Sequence, residues 1–236
     1  MKPKALIIGG GRGIGLAIAQ KLLVEGYDVV TTSRQSSPIQ NDDSHRHFTL
    51  NCLNEDELSE VTETFKTDSL AYVFYCVGTL TDDVTKPEKS LRDIDMDRLT
   101  HSFQVNAVGF AILSKHLKKI LKKDSPTKIV AISAKVGSIG DNELGGWYGY
   151  RASKAALNMF VRNTAIEFGR NNYQTSVFAI HPGTTITDLS DGYLKNTKLK
   201  VHTAEETAEN IYNVVESLDA DQSGEFFSWD GSKLPF

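Results

Sequence analysis

A tyrosine and a lysine four residues apart, Tyr150 and Lys154, are the side chains of this sequence best suited to acid–base chemistry. They lie in the segment YRASK, at the start of a stretch with helical spacing, and residues four apart share one helix face. A tyrosine hydroxyl can give a proton to a carbonyl oxygen, although the ordinary tyrosine pKa of about 10 is high for neutral pH. A nearby ammonium favours the phenolate and lowers that pKa. We therefore expect Tyr150 to act as a general acid or base, assisted by Lys154.

A glycine-rich segment, IGGGRGIG from Ile8 to Gly15, lies between a strand-like apolar run and a helical pattern. The N-terminus of a helix offers free N–H groups and a positive dipole end, which suit a pyrophosphate. Glycines allow the sharp turn and the close approach of the backbone to a ligand. Dinucleotide enzymes and methyltransferases can both use such a loop, so the segment alone predicts a bound nucleotide of either kind.

The second predicted strand ends in Thr31, Thr32, Ser33 and Arg34, without the acidic residue that holds a ribose 2′-hydroxyl in NAD-binding folds. Arg34 can instead pair with a 2′-phosphate, and Arg12 in the glycine loop can join it through charge-assisted hydrogen bonds. We therefore expect NADP, in its reduced form NADPH, and consider NAD the weaker alternative.

Short apolar runs alternate with helical patterns along the chain, which predicts strand–helix–strand units and a mostly parallel sheet covered on both faces. Ligands in such folds sit beyond the carboxyl ends of the strands. The predicted strands are Ala5–Ile8, Tyr27–Thr32, His47–Leu50, Ala71–Cys76, Lys128–Ser133, Thr175–Ile180 and Glu225–Trp229. The predicted helices are Ile14–Glu25, Met96–Lys123, Tyr148–Phe168 and Thr203–Leu218.

Composition excludes several classes of protein. The chain has 236 residues, 40% of them hydrophobic, which is enough for the core of one α/β domain spanning residues 1–236. The net charge of -4 gives no reason to expect nucleic acid as a partner. Cys52 and Cys76 suggest neither a disulfide framework nor a metal site. We see no signal peptide and no stretch long enough to span a membrane, so we expect a cytoplasmic protein.

The glycine spacing and the tyrosine–lysine pair together resemble the short-chain dehydrogenase/reductase family, over nearly the whole chain. Gly9, Gly13 and Gly15 match the Gly-x-x-x-Gly-x-Gly fingerprint of that family, and Tyr150 and Lys154 match its Tyr-x-x-x-Lys pair. The resemblance implies a Rossmann-type, doubly wound α/β fold with a seven-stranded sheet. It also implies an oxidoreductase that transfers a hydride between NADP(H) and a small carbonyl or alcohol substrate.

The same resemblance assigns roles to residues outside these motifs. Asn106 would support a water and proton relay, Ser133 would bond the substrate oxygen, and Lys154 would also hold the nicotinamide ribose. The expected catalytic set is Tyr150, Lys154, Ser133 and Asn106. The expected cofactor-binding set is Gly9, Gly11, Arg12, Gly13, Ile14, Gly15, Ser33, Arg34, Asn51, Cys52, Val77, Gly78, Asn106, Tyr150, Lys154, Pro182, Gly183, Thr185 and Thr187.

A narrower resemblance, to the C-factor and sniffer-type carbonyl reductase branch, rests on the segment from Ala131 to Asn158, AISAKVGSIGDNELGGWYGYRASKAALN. Two departures from the family pattern stand out. The column of the catalytic serine falls on Ala134, one residue after Ser133, so Ser138 is the alternative donor. The family's Asn-Asn-Ala-Gly motif is replaced by the segment YCVG, which ends at Gly78.

Three classes of function remain open on this sequence. The first is the oxidoreductase. The second is a nucleotide-binding regulatory or signalling protein on the same fold with little turnover, as C-factor suggests by analogy. The third is a methyltransferase, which leaves the tyrosine, the lysine and both arginines without a role. We expect the substrate pocket to draw on Asp141–Trp147 and on an irregular candidate lid, Asp188–His202. The family resemblance implies a homodimer or homotetramer formed through the two long helices.

Overall fold

The structure, a computed structural model, describes residues 2–193 and 199–236. The strands are β1 (Lys4–Ile8), β2 (Asp28–Ser33), β3 (His45–Thr49), β4 (Leu70–Tyr75), β5 (Thr127–Ile132), β6 (Thr175–His181), β7 (Thr184–Thr185), β8 (Val201–His202) and β9 (Phe226–Ser228). The α-helices are α1 (Gly13–Val24), α2 (Glu55–Glu63), α3 (Met96–Phe103), α4 (Gly109–Ile120), α5 (Tyr148–Arg170) and α6 (Ala204–Ser217).

One parallel sheet organises the described part of the chain, with strands in the order β3-β2-β1-β4-β5-β6-β9. The strand order reverses between β1 and β4, and in open α/β sheets the ligand crevice lies at this point, beyond the carboxyl ends. The small β7–β8 pair forms a separate two-stranded sheet. The predicted doubly wound α/β fold is confirmed.

Side chains of the central strands alternate between two apolar layers, because successive residues of a strand point to opposite faces. In β1, Leu6 and Ile8 pack on the side of α2, α4 and α5, whereas Ala5 and Ile7 pack on the side of α1 and α6. All four are fully buried. Burial on both faces explains why β1 appears in the sequence as a continuous apolar run.

The predicted helix Met96–Lys123 begins at the expected residue, is interrupted by a π-helical turn that was not expected, and ends three residues early. The segment consists of α3, one π-helical turn at Gln104–Val108 and α4, which ends at Ile120. The buried hydroxyl of Tyr75 donates to the carbonyl of Val105 inside this turn at 3.0 Å. Such turns often mark functional sites, and this one carries the fully buried Asn106. Helix α2 was not predicted from the sequence at all.

Two glycines inside helices provide a matched test of the close packing behind the π-turn. A Cβ on Gly109 would lie 2.3 Å from Tyr75 Oη, whereas a Cβ on Gly169 would meet nothing within 4 Å. Gly109→Ala should destabilise the protein by about 1–3 kcal/mol through overpacking. Gly169→Ala should stabilise it by about 0.5–1 kcal/mol through helix propensity. Urea denaturation measures both, and equal effects of the two substitutions would contradict the packing argument.

Candidate active site

The first turns of α5 place Tyr150 and Lys154 beside the carboxyl end of β5. Tyr150 is half-buried, and only 3% of Lys154 is exposed. Lys154 Nζ donates to the carbonyl of Ile132 at 2.9 Å and lies 5.9 Å from the centre of the Tyr150 ring. The expected pair therefore exists, with the ammonium anchored on the last residue of a central strand.

Burial dominates the ionisation of both side chains. It raises the pKa of Tyr150 to about 12 and lowers the pKa of Lys154 to about 8. The expectation that Lys154 lowers the tyrosine pKa is not met in this structure, because the cost of desolvating a phenolate is the larger effect. At neutral pH the structure thus holds a protonated phenol, ready to donate, beside an ammonium.

Asn106 uses its whole amide group to hold the segment that follows β4. Its Oδ1 accepts from the N–H of Thr79 at 2.7 Å, and its Nδ2 donates to the carbonyl of Thr79 and to Ser153 Oγ, both at 2.9 Å. A Cβ on Gly78 would lie 3.3 Å from both Asn106 Oδ1 and Lys154 Nζ. Asn106, Gly78 and Lys154 therefore meet at one point.

The serine expected to bond the substrate oxygen has another partner. Ser133 is 2% exposed, and its Oγ donates to Asn158 Oδ1 at 2.6 Å. The one-residue offset from Ala134 explains this, because a shift by one position in a strand reverses the direction of a side chain. Ser138, the alternative donor, is equally buried and accepts from the N–H of Asp141 at 3.1 Å.

The glycine loop forms one wall of a cleft of about 1040 Å³ at the carboxyl edge of the sheet. A Cβ on Gly11 would lie 2.4 Å from Ser33 Oγ, and one on Gly15 would lie 2.2 Å from the carbonyl oxygen of Gly9, so both positions require glycine. Arg12 occupies the N-cap position of α1, but its side chain makes no hydrogen bond to the N–H groups of the first turn. That turn also contains no acidic residue. Helix α1 therefore presents its N-terminus to the cleft.

Most of the expected cofactor-binding residues line this cleft, but several do not. The lining includes Gly9, Gly11, Arg12, Gly13, Ile14, Gly15, Ser33, Arg34, Cys52, Val77, Gly78 and Thr187. The expected residues outside it are Asn51, Asn106, Tyr150, Lys154, Pro182, Gly183 and Thr185. Lining residues that the sequence analysis missed are Ile8, Thr32, Gln35, Leu50, Cys76, Ile186, Asp188 and Leu189. Four of these, Ile8, Thr32, Leu50 and Cys76, are the last residues of predicted strands, so including the end of each strand would have found them.

The two arginines expected to converge do not do so in this structure. Arg12 Nη1 pairs with Asp188 Oδ2 at 2.9 Å across the cleft mouth, and both side chains are mostly exposed. Arg34 lies farther along the cleft, beside Ser33 and Gln35. An exposed ion pair contributes little to stability, so Arg12 can exchange Asp188 for a stronger anionic partner at low cost.

The segment after β6 turns back over the glycine loop. Gly183 has φ of +79°, and a Cβ there would lie 2.8 Å from Trp229 Cδ1. Thr185 is buried and bonds to Thr207 Oγ1 at 2.8 Å, so it anchors the segment to α6. Thr187 Cγ2 lies 3.3 Å from the position of a Cβ on Gly13. Ile186, Thr187, Asp188 and Leu189 of this segment line the cleft.

Trp147 links the rings of Tyr150 and Tyr193 in one aromatic cluster. Trp147 makes edge-on contacts with Tyr150, with ring centres 6.3 Å apart, and with Tyr193 at 5.2 Å. The hydroxyl of Tyr193 bonds to Thr81 Oγ1 at 2.8 Å. Residues 194–198 of the candidate lid Asp188–His202 lie outside the described residues.

The model of the short chain dehydrogenase family matches residues 3–198, and the chain therefore belongs to that family. It is an oxidoreductase, as predicted. Within residues 2–193 and 199–236, no helix is long and apolar enough to cross a bilayer.

Relatives from the expected branch are among the similar proteins. The C-signal protein of Myxococcus xanthus is 28% identical over 62% of this chain and 84% of its own length. The carbonyl reductase Sniffer of D. melanogaster superposes with a TM-score of 0.83 at 21% identity, over 100% of both chains. An NADPH-bound carbonyl reductase from chicken fatty liver gives a TM-score of 0.83 at 24% identity, also over 100% of both chains.

Replacing each serine by alanine tests whether the Ser133 hydroxyl serves the substrate oxygen or Asn158. Ser133→Ala should cost about 1–3 kcal/mol of stability, because it leaves the buried Asn158 oxygen without its donor. It should lower turnover much less than the ~10²-fold that follows loss of a donor to the reacting oxygen. Ser138→Ala serves as the control and should likewise leave turnover nearly intact. Steady-state kinetics and thermal denaturation give the two readouts. A 10²-fold loss with unchanged stability would restore Ser133 to the role first expected.

Proposed function

We propose that this protein is an NADP(H)-dependent carbonyl reductase, with Tyr150 as proton donor and Lys154 as its cationic partner. The observation that carries the proposal is the position of Gly78. This residue lines one end of the nucleotide cleft, and a Cβ there would lie 3.3 Å from Lys154 Nζ. The cofactor cleft and the acid–base pair therefore meet at one point. A hydride and a proton can reach the same carbonyl group only in such an arrangement.

The residues present fit a dinucleotide phosphate. The N-terminus of α1, without a side-chain cap, and the close-packed glycines can hold a pyrophosphate through backbone N–H groups. Ser33 and Arg34 lie where the second strand ends and can receive a 2′-phosphate, and Arg12 can join them by leaving Asp188. We assign Lys154 and Thr187 to the nicotinamide half. The NADPH-bound chicken enzyme of the same fold supports this choice of cofactor.

The bound cofactor supplies the hydride, and the residues of this chain manage the proton. Burial keeps Tyr150 protonated up to high pH, so the phenol can donate to the carbonyl oxygen of a substrate. As that proton leaves, the Lys154 ammonium stabilises the phenolate. Asn106 fixes Thr79, and through it the backbone that follows Gly78. With Ser133 bonded to Asn158, Tyr150 alone positions the substrate oxygen.

The substrate we propose is a small apolar or aromatic carbonyl compound. Trp147 places ring surface next to Tyr150, and Tyr193 packs against Trp147; such surface favours planar apolar groups over charged ones. Neither nucleic acid nor a membrane is a proposed partner. The exposed Met159 and Ile166 on α5 support a homodimer or homotetramer with this helix in the interface.

A regulatory protein with little turnover is the second candidate. Two observations favour it: the Ser133 hydroxyl is bonded to Asn158, and the C-signal protein is a relative. Oxidation of NADPH with a panel of aldehydes and ketones separates the two proposals. Turnover that depends on Tyr150 supports the reductase, and absence of turnover with tight NADPH binding supports the regulator.

Cofactor preference tests the assignment of Arg34. The native protein should bind NADPH more tightly than NADH, because charge-assisted bonds to the 2′-phosphate contribute about 2–3 kcal/mol. Arg34→Asp should reverse this preference, since the carboxylate repels the phosphate and can accept from a ribose 2′-hydroxyl. Fluorescence titration with each cofactor measures both affinities. Equal affinities in the native protein would exclude the assignment.

Removal of the phenol tests the chemistry. Tyr150→Phe should lower carbonyl reduction by at least ~10²-fold, the usual contribution of a positioned general acid. NADPH affinity should stay within about twofold of native, because the ring is kept and the phenol contributes little to the cofactor site. Near-native turnover in this variant would mean that another acid serves the reaction.

The pH profile of the native enzyme gives an independent check. Lys154 is charged below its pKa of about 8 and neutral above it, so reductive kcat/KM should be level through neutral pH and decline above pH 8. The decline should be absent from Lys154→Met, which has no charge to lose and should give a low but level profile.

A further inference from the structure

The backbone just before α5, the helix that carries Tyr150 and Lys154, has an unusual conformation. Gly145, Gly146 and Trp147 are all left-handed, with φ values of +62°, +66° and +50°. Glycine adopts such a conformation readily, but a tryptophan adopts it at a cost and keeps it only where the surrounding structure enforces it. The contacts around Trp147 must therefore hold this left-handed turn.

The first turn of α5 takes no cap from its own sequence. Within the described residues, Trp147 occupies the N-cap position without a side-chain hydrogen bond to this turn, and the turn contains no acidic residue. The N-terminus of a helix leaves backbone N–H groups without intrahelical partners and carries the positive end of the helix dipole. An acceptor from another part of the fold is therefore favoured at this position.

Glu88, in the loop that follows β4, supplies that acceptor. Its Oε2 accepts from the N–H of Gly149, the second residue of α5, at 3.1 Å. Its backbone carbonyl accepts from the N–H of Trp147 at 2.6 Å. Glu88 is only 4% exposed, and a Cβ on Gly149 would lie 2.8 Å from Glu88 Oε1, so the glycine permits this close approach. One residue thus holds both the left-handed turn and the first turn of the helix.

The loop that carries Glu88 is itself fixed by the contacts of Asn106. Asn106 bonds to both backbone groups of Thr79, and Thr79 Oγ1 donates to Asp82 Oδ2 at 2.8 Å. Asp82 Oδ1 accepts from the N–H of Thr85 at 2.7 Å, three residues before Glu88. A series of hydrogen bonds therefore leads from the π-turn through this loop to the start of α5.

Both contacts of Glu88 lie next to the proposed proton donor. Gly149 directly precedes Tyr150, and the ring of Trp147 packs edge-on against the ring of Tyr150, with 6.3 Å between the ring centres. The ammonium of Lys154 is anchored separately, on the last residue of β5. Movement of the left-handed turn would therefore shift the phenol relative to the ammonium.

We propose that Glu88 is a positioning residue for the reductase reaction, which fixes the left-handed turn and the first turn of α5 so that Tyr150 keeps one orientation towards the substrate. The inference rests on the proposed function, since it assigns a residue that orients the proposed proton donor. Glu88 acts through the backbone of Trp147 and Gly149 and does not itself exchange a proton with the substrate.

The test uses variants that separate positioning from simple stabilisation. Glu88→Ala removes the acceptor of the Gly149 N–H, whereas Glu88→Gln keeps an acceptor oxygen. Thr203→Ala is the matched control: Thr203 Oγ1 caps α6, on the other face of the sheet, by accepting from the N–H of Glu206 at 3.1 Å. If Glu88→Ala does not fold, Gly149→Ala replaces it, because the added methyl group displaces the Glu88 carboxyl group.

Glu88→Ala should lower kcat for carbonyl reduction by about tenfold to 10²-fold, because a displacement of about 1 Å is enough for such a loss. The Kd for NADPH should stay within about twofold of native, since the glycine loop and Arg34 lie outside these contacts. Glu88→Gln should keep kcat within about threefold of native, because an amide oxygen accepts the same bond more weakly. Thr203→Ala should keep native kcat and lower Tm by about 2–4 °C.

The fluorescence of Trp147 gives a readout that does not depend on turnover. The chain contains two tryptophans, so a Trp229→Phe background leaves Trp147 as the only one. In this background Glu88→Ala should shift the emission to longer wavelength and raise quenching by acrylamide, because the turn opens to water. Glu88→Gln and Thr203→Ala should keep the emission and the quenching of the background protein.

Native kcat in Glu88→Ala would overturn the inference, as would an equal loss of kcat in Thr203→Ala or unchanged quenching of Trp147 in Glu88→Ala. A loss in Glu88→Gln as large as that in Glu88→Ala would also contradict it. If Tyr150→Phe keeps its turnover, the proposed function fails, and the quenching of Trp147 still decides whether Glu88 fixes this turn. If Tyr150→Phe is inactive while Glu88→Ala matches the native protein, only the role of Glu88 fails.

Discussion

A buried ammonium is the constraint on which the arrangement of this site depends. Lys154 is almost completely enclosed, and an isolated charge in that position would be very costly. The carbonyl of Ile132, at the carboxyl end of β5, accepts from it. Gly78 leaves the space beside Nζ open, because a Cβ would lie 3.3 Å away. The partial desolvation that remains lowers the pKa of Lys154 to about 8, so the charge is retained at neutral pH.

The backbone that surrounds this ammonium is fixed by side chains from other elements. The π-turn puts one extra residue between α3 and α4, and the hydroxyl of Tyr75 donates a hydrogen bond to the carbonyl of Val105. Asn106 is thereby turned inward and clamps both backbone groups of Thr79. The family's asparagine pair after β4 is missing from this chain, and the clamp holds Thr79, the residue that follows the substituted segment.

The sequence predicted the elements that produce a clear hydrophobic period. It did not predict the elements whose conformation depends on packing between distant residues. All seven strands of the main sheet were predicted to within a few residues, because strands such as β1 are buried on both faces and appear as apolar runs. Helix α2 was missed because only Leu58, Val61 and Thr62 are buried in it, too few to produce a clear period. The π-turn was missed because its cause, the bond from Tyr75 to Val105, joins residues 30 positions apart.

The same distinction applies within the site. Tyr150, Lys154 and the glycine loop were predictable, since their spacing is itself the geometric requirement. The partner of Ser133 was not, because Asn158 lies on α5 and no local pattern links the two residues. Spacing along a chain predicts which groups share a face, whereas the hydrogen-bond partner of a buried group depends on which residues the fold brings to it.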